Sequence, residues 1–199
     1  MRQTINFGEP ICDVQCHGSW VVVAHTTHVK CFDSAMSLQL NSPLSEIKTP
    51  EFTNRGSIQS AVPLTKDATT LCLLTPSANI KGEALLTRLS TNVRPNRTII
   101  ITGFQGQSYS QCSLAADANF AAFSSEDGIT YHVVDLKLNR VIKTILRGNT
   151  PSPAHSLCLT RDGEFAGQLY LTLVTGTKSV HVYSVPTATT TDEKAHLRI

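Results

Sequence analysis

A loose repeat of short apolar strands constrains this chain more than any other feature of its sequence. The repeating units start at Ile11, Ile58, Tyr109 and His155, which gives a period of about 45 to 50 residues. Within each unit, short runs rich in Val, Ile, Thr, Tyr and Phe are separated by turns of Gly, Asp, Asn or Ser. Such a period is typical of propeller blades, in which each repeat is one small antiparallel sheet.

The third unit shows the strand pattern most clearly. Its predicted strands are Tyr109–Leu114, Phe120–Ser124, Ile129–Leu136 and Val141–Ile145. The predicted strands of the other units are Ile11–Cys16, Trp20–Ala24, His28–Asp33 and a weaker Ser37–Leu40 in the first, Ser57–Pro63, Thr69–Leu74, Glu83–Leu89 and Arg97–Thr102 in the second, and His155–Thr160, Leu169–Val174 and Ser179–Val185 in the fourth.

The sequence therefore predicts an all-β fold, a WD40-like β-propeller with about four visible blades and an incomplete ring. The approximate units are residues 5–50, 57–104, 108–148 and 154–186, within a propeller region 1–186 that a polar tail, 187–199, follows. A two-sheet sandwich is the alternative fold. Because four blades are the lower limit for closed propellers, we expect an open part of a larger ring or a divergent form that needs a partner.

Charge and apolar run length exclude several functional classes. A net charge of +2 and an aromatic content of 6% provide neither the basic surface nor the stacking side chains of a nucleic-acid binder. No apolar run approaches the roughly 20 residues that span a bilayer, and the first residues lack the apolar core of a secretory signal, so we expect a cytosolic or nuclear chain. No nucleophile elbow, Walker loop or dinucleotide loop is present, so we expect neither an enzyme nor a cofactor.

Cysteine and histidine spacing does not predict a metal site. The six cysteines lie mostly in apolar stretches such as Leu157-Cys158-Leu159 and are interpreted as small buried hydrophobic residues. Cys12-x3-Cys16-His17 lacks the second ligand pair of a zinc site. His25 and His28 place two imidazoles near one turn, but the spacing offers no third ligand. We therefore expect no metal.

Four short motifs follow one another in the second half of the chain. They are Ser124-Ser125-Glu126-Asp127-Gly128, Val133-Val134-Asp135, Ile145-Leu146-Arg147-Gly148 and Val180-His181-Val182-Tyr183. Their order and spacing resemble the PROPPIN family, seven-bladed propellers that bind polyphosphoinositides. The segments Asn6–Ile11, Trp20–Val23, Val29–Asp33 and Leu71–Ser77 are compatible with earlier blades of that family.

The resemblance implies binding to phosphatidylinositol 3-phosphate or 3,5-bisphosphate and a scaffold role in autophagosome assembly. It also implies autophagy-related protein partners and cytoplasmic residence, with peripheral recruitment to pre-autophagosomal and endosomal or vacuolar membranes. The residues that it assigns to the phosphoinositide headgroup are Arg147, Gly148, Thr175, Ser179, His181, Ser124 and Ser125.

The chemistry of these residue types suits a phosphate. The guanidinium of Arg147 is always charged and can hold a phosphate through two parallel hydrogen bonds. Gly148 lets the backbone turn sharply and bring N–H groups toward an anion. The hydroxyls of Thr175 and Ser179 add neutral hydrogen bonds, and His181 adds a donor that strengthens on protonation.

The chain departs from the family pattern at the first of two headgroup sites. The family pairs two arginines, whereas Leu146 precedes Arg147 here. Ile129 stands where the family usually has threonine, and Gln105 lies near the position of a histidine. We therefore expect a degraded first site and a more nearly intact second site. In the family an apolar loop from the sixth blade adds to membrane attachment, and the chain ends near where that loop would start, so we expect weaker lipid binding than in a full-length relative, or none.

A generic WD40 protein-interaction module without lipid binding is the alternative function. In that case Arg147 is an ordinary surface arginine at a strand end, and His181 is a satisfied histidine inside a blade. Ser124 and Ser125 are then plain turn residues. Replacing Arg147 by alanine distinguishes the two functions, because it abolishes vesicle binding only in the first.

Overall fold

The protein is described here by a computed structural model that covers residues 7–33, 45–49, 58–61, 70–77, 79–90, 93–161 and 168–186. The strands in these residues are β1 (Asp13–His17), β2 (Trp20–Ala24), β3 (His28–Asp33), β4 (Ser45–Lys48), β5 (Gln59–Ala61), β6 (Leu71–Pro76), β7 (Glu83–Ser90), β8 (Val93–Ile101), β9 (Tyr109–Leu114), β10 (Phe120–Ser125), β11 (Thr130–Asp135), β12 (Arg140–Leu146), β13 (Ala154–Arg161), β14 (Gln168–Thr175) and β15 (Val180–Pro186). The predicted Ser37–Leu40 strand and the tail 187–199 lie outside the described residues.

The strands form four antiparallel sheets in chain order. The first three contain β1–β4, β5–β8 and β9–β12, and the fourth contains β13–β15. Every strand pairs with the next strand along the chain within its sheet, as in an up-and-down meander. The described residues include no helix, and therefore none that could cross a bilayer.

An aspartate fixes each turn of the third sheet. Asp117 Oδ1 accepts the Asn119 N–H at 2.9 Å between β9 and β10, and Asp127 Oδ1 accepts the Ile129 N–H at 2.9 Å between β10 and β11. Asp135 Oδ1 accepts the N–H groups of Lys137 and Leu138, both at 2.9 Å, before β12. Aspartate side chains commonly stabilise turns in this way.

Three apolar clusters lie between successive sheets. The first joins Trp20, Val22 and Val29 to Leu71 and Leu73, between the first and second sheets. The second joins the second and third sheets through side chains that include Leu74, Leu86, Ile100, Tyr109, Phe123 and Val134. The third joins the third and fourth sheets and includes Tyr131, Val133, Ile145, Leu159, Leu171 and Leu173. Each sheet therefore packs face to face on its neighbour, as propeller blades do.

Polar links between first strands hold neighbouring sheets in place. Gln15 on β1 accepts the Ser60 N–H at 2.8 Å through Oε1, and its Nε2 donates to the Ile58 carbonyl oxygen at 3.1 Å. Ser113 Oγ on β9 accepts the Leu159 N–H of β13 at 2.9 Å. The first strands of the sheets therefore lie side by side in sequence order.

This arrangement of four sheets confirms the predicted WD40-like propeller with four blades.

Strand alternation corrects the interpretation of the cysteines. Cys31, Cys72 and Cys112 are buried as expected, but Cys16 and Cys158 are exposed. The neighbours of Cys158 in β13, Leu157 and Leu159, point into the core, so the residue between them faces the opposite side of the sheet. The prediction that Cys158 is buried rested on its apolar neighbours in the sequence and took no account of the alternation of side chains along a strand.

Candidate functional site

Arg147 lies at the boundary between the third and fourth sheets, directly after β12. Its Nε donates to the Gly128 carbonyl oxygen at 2.9 Å, and its Nη2 donates to the Thr150 carbonyl oxygen at 2.6 Å. Its backbone N–H donates to the Ile129 carbonyl oxygen at 2.9 Å. The guanidinium therefore bridges the β10–β11 turn and the segment that leads to the fourth sheet.

Two tyrosines accompany the guanidinium. Tyr131 Oη donates at 2.9 Å to the Gly128 carbonyl oxygen, the same acceptor that Arg147 uses. Burial raises the pKa of Tyr131 and that of Tyr183, and in both cases the positive charge of Arg147 opposes the shift. His181 lies two residues before Tyr183 on β15, and the two rings stack with their centroids 6.3 Å apart. The charge of Arg147 therefore acts on Tyr183, on the fourth sheet.

The β14–β15 turn supplies a chain of hydroxyl groups. Thr175 Oγ1 lies 2.8 Å from Thr177 Oγ1, which lies 3.1 Å from Ser179 Oγ. Lys178, at the tip of this turn, is exposed and has a φ of 61°. The turn is anchored by the Gly176 N–H, which donates to the Pro153 carbonyl oxygen at 3.3 Å. It therefore packs on the same segment that Arg147 holds at Thr150.

Two glycines shape the backbone around the arginine. Gly128 has a φ of 67°, and a Cβ there would overlap the Ser152 carbonyl oxygen, so only glycine fits without a shift. The Ser152 N–H donates to the Asp127 carbonyl oxygen at 2.8 Å in the same contact. Gly148 is exposed, has a φ of 151°, and has no atom within 4 Å of an added Cβ. The backbone beside Arg147 is therefore open.

The structure divides the predicted headgroup residues into two groups. Arg147, Gly148, Ser179 and His181 are exposed or partly exposed around the boundary of the third and fourth sheets. The other three predicted residues are buried, and they are Ser124, Ser125 and Thr175.

The buried serines are engaged by the β10–β11 turn itself. Ser124 Oγ donates to the Ser125 carbonyl oxygen at 3.0 Å. Ser125 Oγ donates to Asp127 Oδ1 at 2.5 Å and accepts the Thr130 N–H at 3.0 Å. These hydroxyls shape the turn that carries Gly128 and do not face solvent. Their geometry matches the turn interpretation of the two serines.

A cavity of about 320 Å³ lies beside this turn, on the side of the second sheet. Its lining residues are Lys81, Gly106, Gln107, Ser108, Ser125, Glu126 and Asp127. Hydrogen bonds from Ser125 and from the Ile129 N–H lower the pKa of Asp127, so this carboxyl group stays ionised at neutral pH. Two carboxylates against one ammonium group make this cavity unsuitable for a phosphate.

Sequence reasoning missed the partners that hold Arg147. Gly128 and Tyr183 belong to the motifs that pointed to the site, so their presence near it could have been anticipated. Nothing in the sequence could have identified Thr150 as a partner of Arg147, because its backbone carbonyl oxygen, and not its side chain, accepts the hydrogen bond. Glu9 was also missed: its carboxylate lies beside His25 and His28 and supplies the third potential metal ligand that the spacing did not reveal.

Comparison with solved structures identifies propellers of similar shape. The structure of Kluyveromyces lactis Hsv2p matches with a TM-score of 0.68 and 16% identity, over 96% of this chain and 53% of that one. The complex of KlAtg21 with the coiled-coil of AgAtg16 matches with a TM-score of 0.62 and 15% identity, over 90% and 54% of the two chains. The β-propeller domain of Cps50 (Swd1) from Myceliophteria thermophila matches with a TM-score of 0.60 and 8% identity, over 88% and 54%.

These matches establish the fold. Hsv2 and Atg21 are PROPPIN structures, so the expected likeness to that family is confirmed at the level of architecture. The chain spans about half the length of the structures that it matches. No family model and no curated protein sequence matches it.

Proposed function

We propose that this chain is a phosphoinositide-binding propeller scaffold that acts in autophagosome assembly and membrane recruitment. The observation that carries the proposal is the placement of Arg147, whose guanidinium is held by two backbone carbonyl oxygens at the boundary of two blades. These two bonds use two of the five N–H groups of an arginine, so the side chain keeps further donors for an anion.

The surroundings of Arg147 suit a phosphomonoester. Such a group carries a charge of about −2 and several acceptor oxygens. The fixed guanidinium supplies a planar donor, and the exposed Gly148 leaves room for close approach. Lys178 and Ser179 lie on the β14–β15 turn, which contacts the segment held by Arg147 through the Gly176–Pro153 hydrogen bond, and they would add a positive charge and a hydroxyl from the neighbouring blade. The headgroup proposed is phosphatidylinositol 3-phosphate or 3,5-bisphosphate.

The scaffold role has separate support. Atg21 is solved in complex with the coiled-coil of Atg16, which supports autophagy-related proteins as partners of this chain. The protein would act without catalysis, in the cytoplasm, and would attach peripherally to pre-autophagosomal and endosomal or vacuolar membranes. A single headgroup site implies weaker attachment than two sites acting together, because avidity multiplies affinities.

Vesicle co-sedimentation tests the proposal. Wild type is compared with Arg147→Ala and with Arg140→Ala, which removes an exposed arginine from the other end of β12. We expect wild type and Arg140→Ala to sediment with vesicles that contain phosphatidylinositol 3-phosphate, and Arg147→Ala to remain in the supernatant. Circular dichroism checks that all three are folded. A folded wild type that ignores the lipid overturns the proposal and leaves a generic WD40 interaction module.

A further inference from the structure

We propose that Glu9, His25 and His28 form a zinc site that fastens the segment before β1 to the β2–β3 turn. One potential ligand atom from each residue lies within 4.8 Å of the other two. The cluster belongs to the first sheet and Arg147 to the boundary of the third and fourth, so this inference is independent of the proposed lipid site.

His25 is oriented as a metal ligand. The residue is 1% exposed, and its Nδ1 lies 3.0 Å from the Pro10 carbonyl oxygen. A carbonyl oxygen can only accept, so Nδ1 carries the proton and Nε2 presents a lone pair. That Nε2 is buried and has no hydrogen-bond partner among the described residues. Histidines that bind metals commonly donate their other ring N–H to a backbone carbonyl in this manner.

His28 offers a second unpartnered nitrogen beside the first. Its side chain is 12% exposed, and its Nε2 lies 3.4 Å from Glu9 Oε2 without forming a hydrogen bond. The His25 N–H donates to the His28 carbonyl oxygen at 2.8 Å, so the turn itself fixes the two residues together. Their rings stack with centroids 4.5 Å apart. Among the described residues neither His25 Nε2 nor His28 Nε2 has a hydrogen-bond partner, which is costly for buried atoms, and a shared cation would satisfy both.

Glu9 completes the donor set from a different part of the chain. Its Oε2 faces His28, while its Oε1 lies 3.7 Å from Lys30 Nζ. Lys30 therefore engages the oxygen that does not face the histidines, and Lys48, which pairs with His28 across β3 and β4, is a second cation on this side of the first sheet. The Phe7 ring packs edge-on against His25, with centroids 5.5 Å apart, and limits access of water from that side.

The chemistry of the donors favours zinc. Two imidazole nitrogens and one carboxylate oxygen are a known zinc set, with water as the fourth ligand. Calcium and magnesium are disfavoured because they prefer oxygen ligands throughout. Ligands about 2.1 Å from a tetrahedral zinc are about 3.4 Å apart, a spacing that Glu9 and His28 already have. Binding would require the two stacked rings to open so that both lone pairs meet the ion.

Titration calorimetry with zinc chloride alone tests the site. Wild type should bind one zinc ion, and His25→Gln, His28→Gln and Glu9→Gln should each weaken that binding at least tenfold. His155→Gln, which removes an exposed histidine on β13, and Cys12→Ser, which removes the thiol next to the segment, should bind as wild type does. Glu9 is 48% exposed, so Glu9→Gln tests the site without disturbing the core.

Thermal unfolding gives a second readout. Zinc should raise the unfolding temperature of wild type and of His155→Gln but not of Glu9→Gln, since a ligand stabilises only the state that binds it. Absence of zinc binding by folded wild type overturns the site. So does binding that survives both His25→Gln and Glu9→Gln, or binding that Cys12→Ser removes, because the thiols would then be the ligands.

Discussion

The Nε of Arg147 donates to the carbonyl oxygen of Gly128 at 2.9 Å, which ties the end of β12 to the turn that starts β11. The same carbonyl oxygen accepts the hydroxyl of Tyr131 at 2.9 Å. Gly128 is in turn packed against the Ser152 carbonyl oxygen on the segment that leads to the fourth sheet. Arg147, the residue proposed to bind the phosphate, therefore also helps to join two blades.

Because of this double role, Arg147→Ala should lower the free energy of unfolding by about 1 to 2 kcal/mol, since it removes a part-buried hydrogen bond to Gly128 and an exposed one to Thr150. Arg140→Ala, at an exposed position of the same strand, should change it by less than about 0.5 kcal/mol. Urea denaturation followed by tryptophan fluorescence measures both. Equal effects of the two substitutions would mean that the side-chain hydrogen bonds of Arg147 do not contribute to the stability of the fold.

Gly128→Ala should be more damaging than Gly106→Ala, although both glycines have a φ near 70°. Gly106 has no atom within 4 Å of an added Cβ, so its alanine variant meets only the left-handed backbone cost of about 1 to 2 kcal/mol. An alanine at position 128 also collides with the Ser152 backbone and displaces the acceptor of Arg147. Comparable melting temperatures for the two variants would contradict the tight contact.

Leu146→Arg should strengthen vesicle binding by restoring the arginine pair of the family pattern. Leu146 is 72% exposed, so the substitution does not disturb the core. Leu138→Arg is the matched control, since Leu138 is 59% exposed and lies in the β11–β12 turn away from Arg147. Quantitative sedimentation against phosphatidylinositol 3-phosphate distinguishes them. An equal gain in both variants would reveal only nonspecific attraction of positive charge to the membrane.

Asp117 should make stability depend on pH in acid. Burial raises its pKa, but hydrogen bonds from Asn119 and Arg161, together with the charge of Arg161, outweigh burial and leave the pKa below its usual value. The stabilisation is therefore complete above about pH 4 and is lost as the pH falls through the lowered value. The Asp117–Arg161 pair is partly exposed, so it contributes at most about 1 kcal/mol.

Asp117→Asn should accordingly flatten the decline of unfolding free energy below about pH 4. Glu46→Gln, at an exposed position of β4, serves as the control and should leave the decline as in wild type. Urea denaturation at a series of pH values provides the curves. An unchanged slope for Asp117→Asn would show that folding does not lower the pKa of Asp117.

Much of the fold could be predicted from the sequence because its signals are local. Strands are indicated by apolar residues, and turns by Gly, Asp, Asn and Ser. The predicted ranges Trp20–Ala24, His28–Asp33 and Tyr109–Leu114 match the observed β2, β3 and β9. The structure adds a fourth strand to the first sheet at Ser45–Lys48, which the sequence did not predict. Ile47 is the one apolar residue in the sequence of that strand, which therefore has no apolar alternation to indicate it.

The candidate site was less predictable. Arg147 and Gly148 could be identified from a short motif, whereas the burial of Ser124 and Thr175 depends on how the third and fourth sheets pack. The proximity of Glu9 to His28 depends on the path of the chain before β1, which no local pattern encodes. Residues brought together by different strands and turns become visible only in three dimensions.

The most direct test of headgroup binding at Arg147 is calorimetric titration of a soluble, short-chain phosphatidylinositol 3-phosphate into the folded protein. This experiment measures binding of the headgroup without a membrane. We expect saturable binding of one headgroup to wild type and to Arg140→Ala, and loss of that binding in Arg147→Ala. Binding that is absent from wild type, or that survives Arg147→Ala unchanged, would contradict the proposed headgroup site.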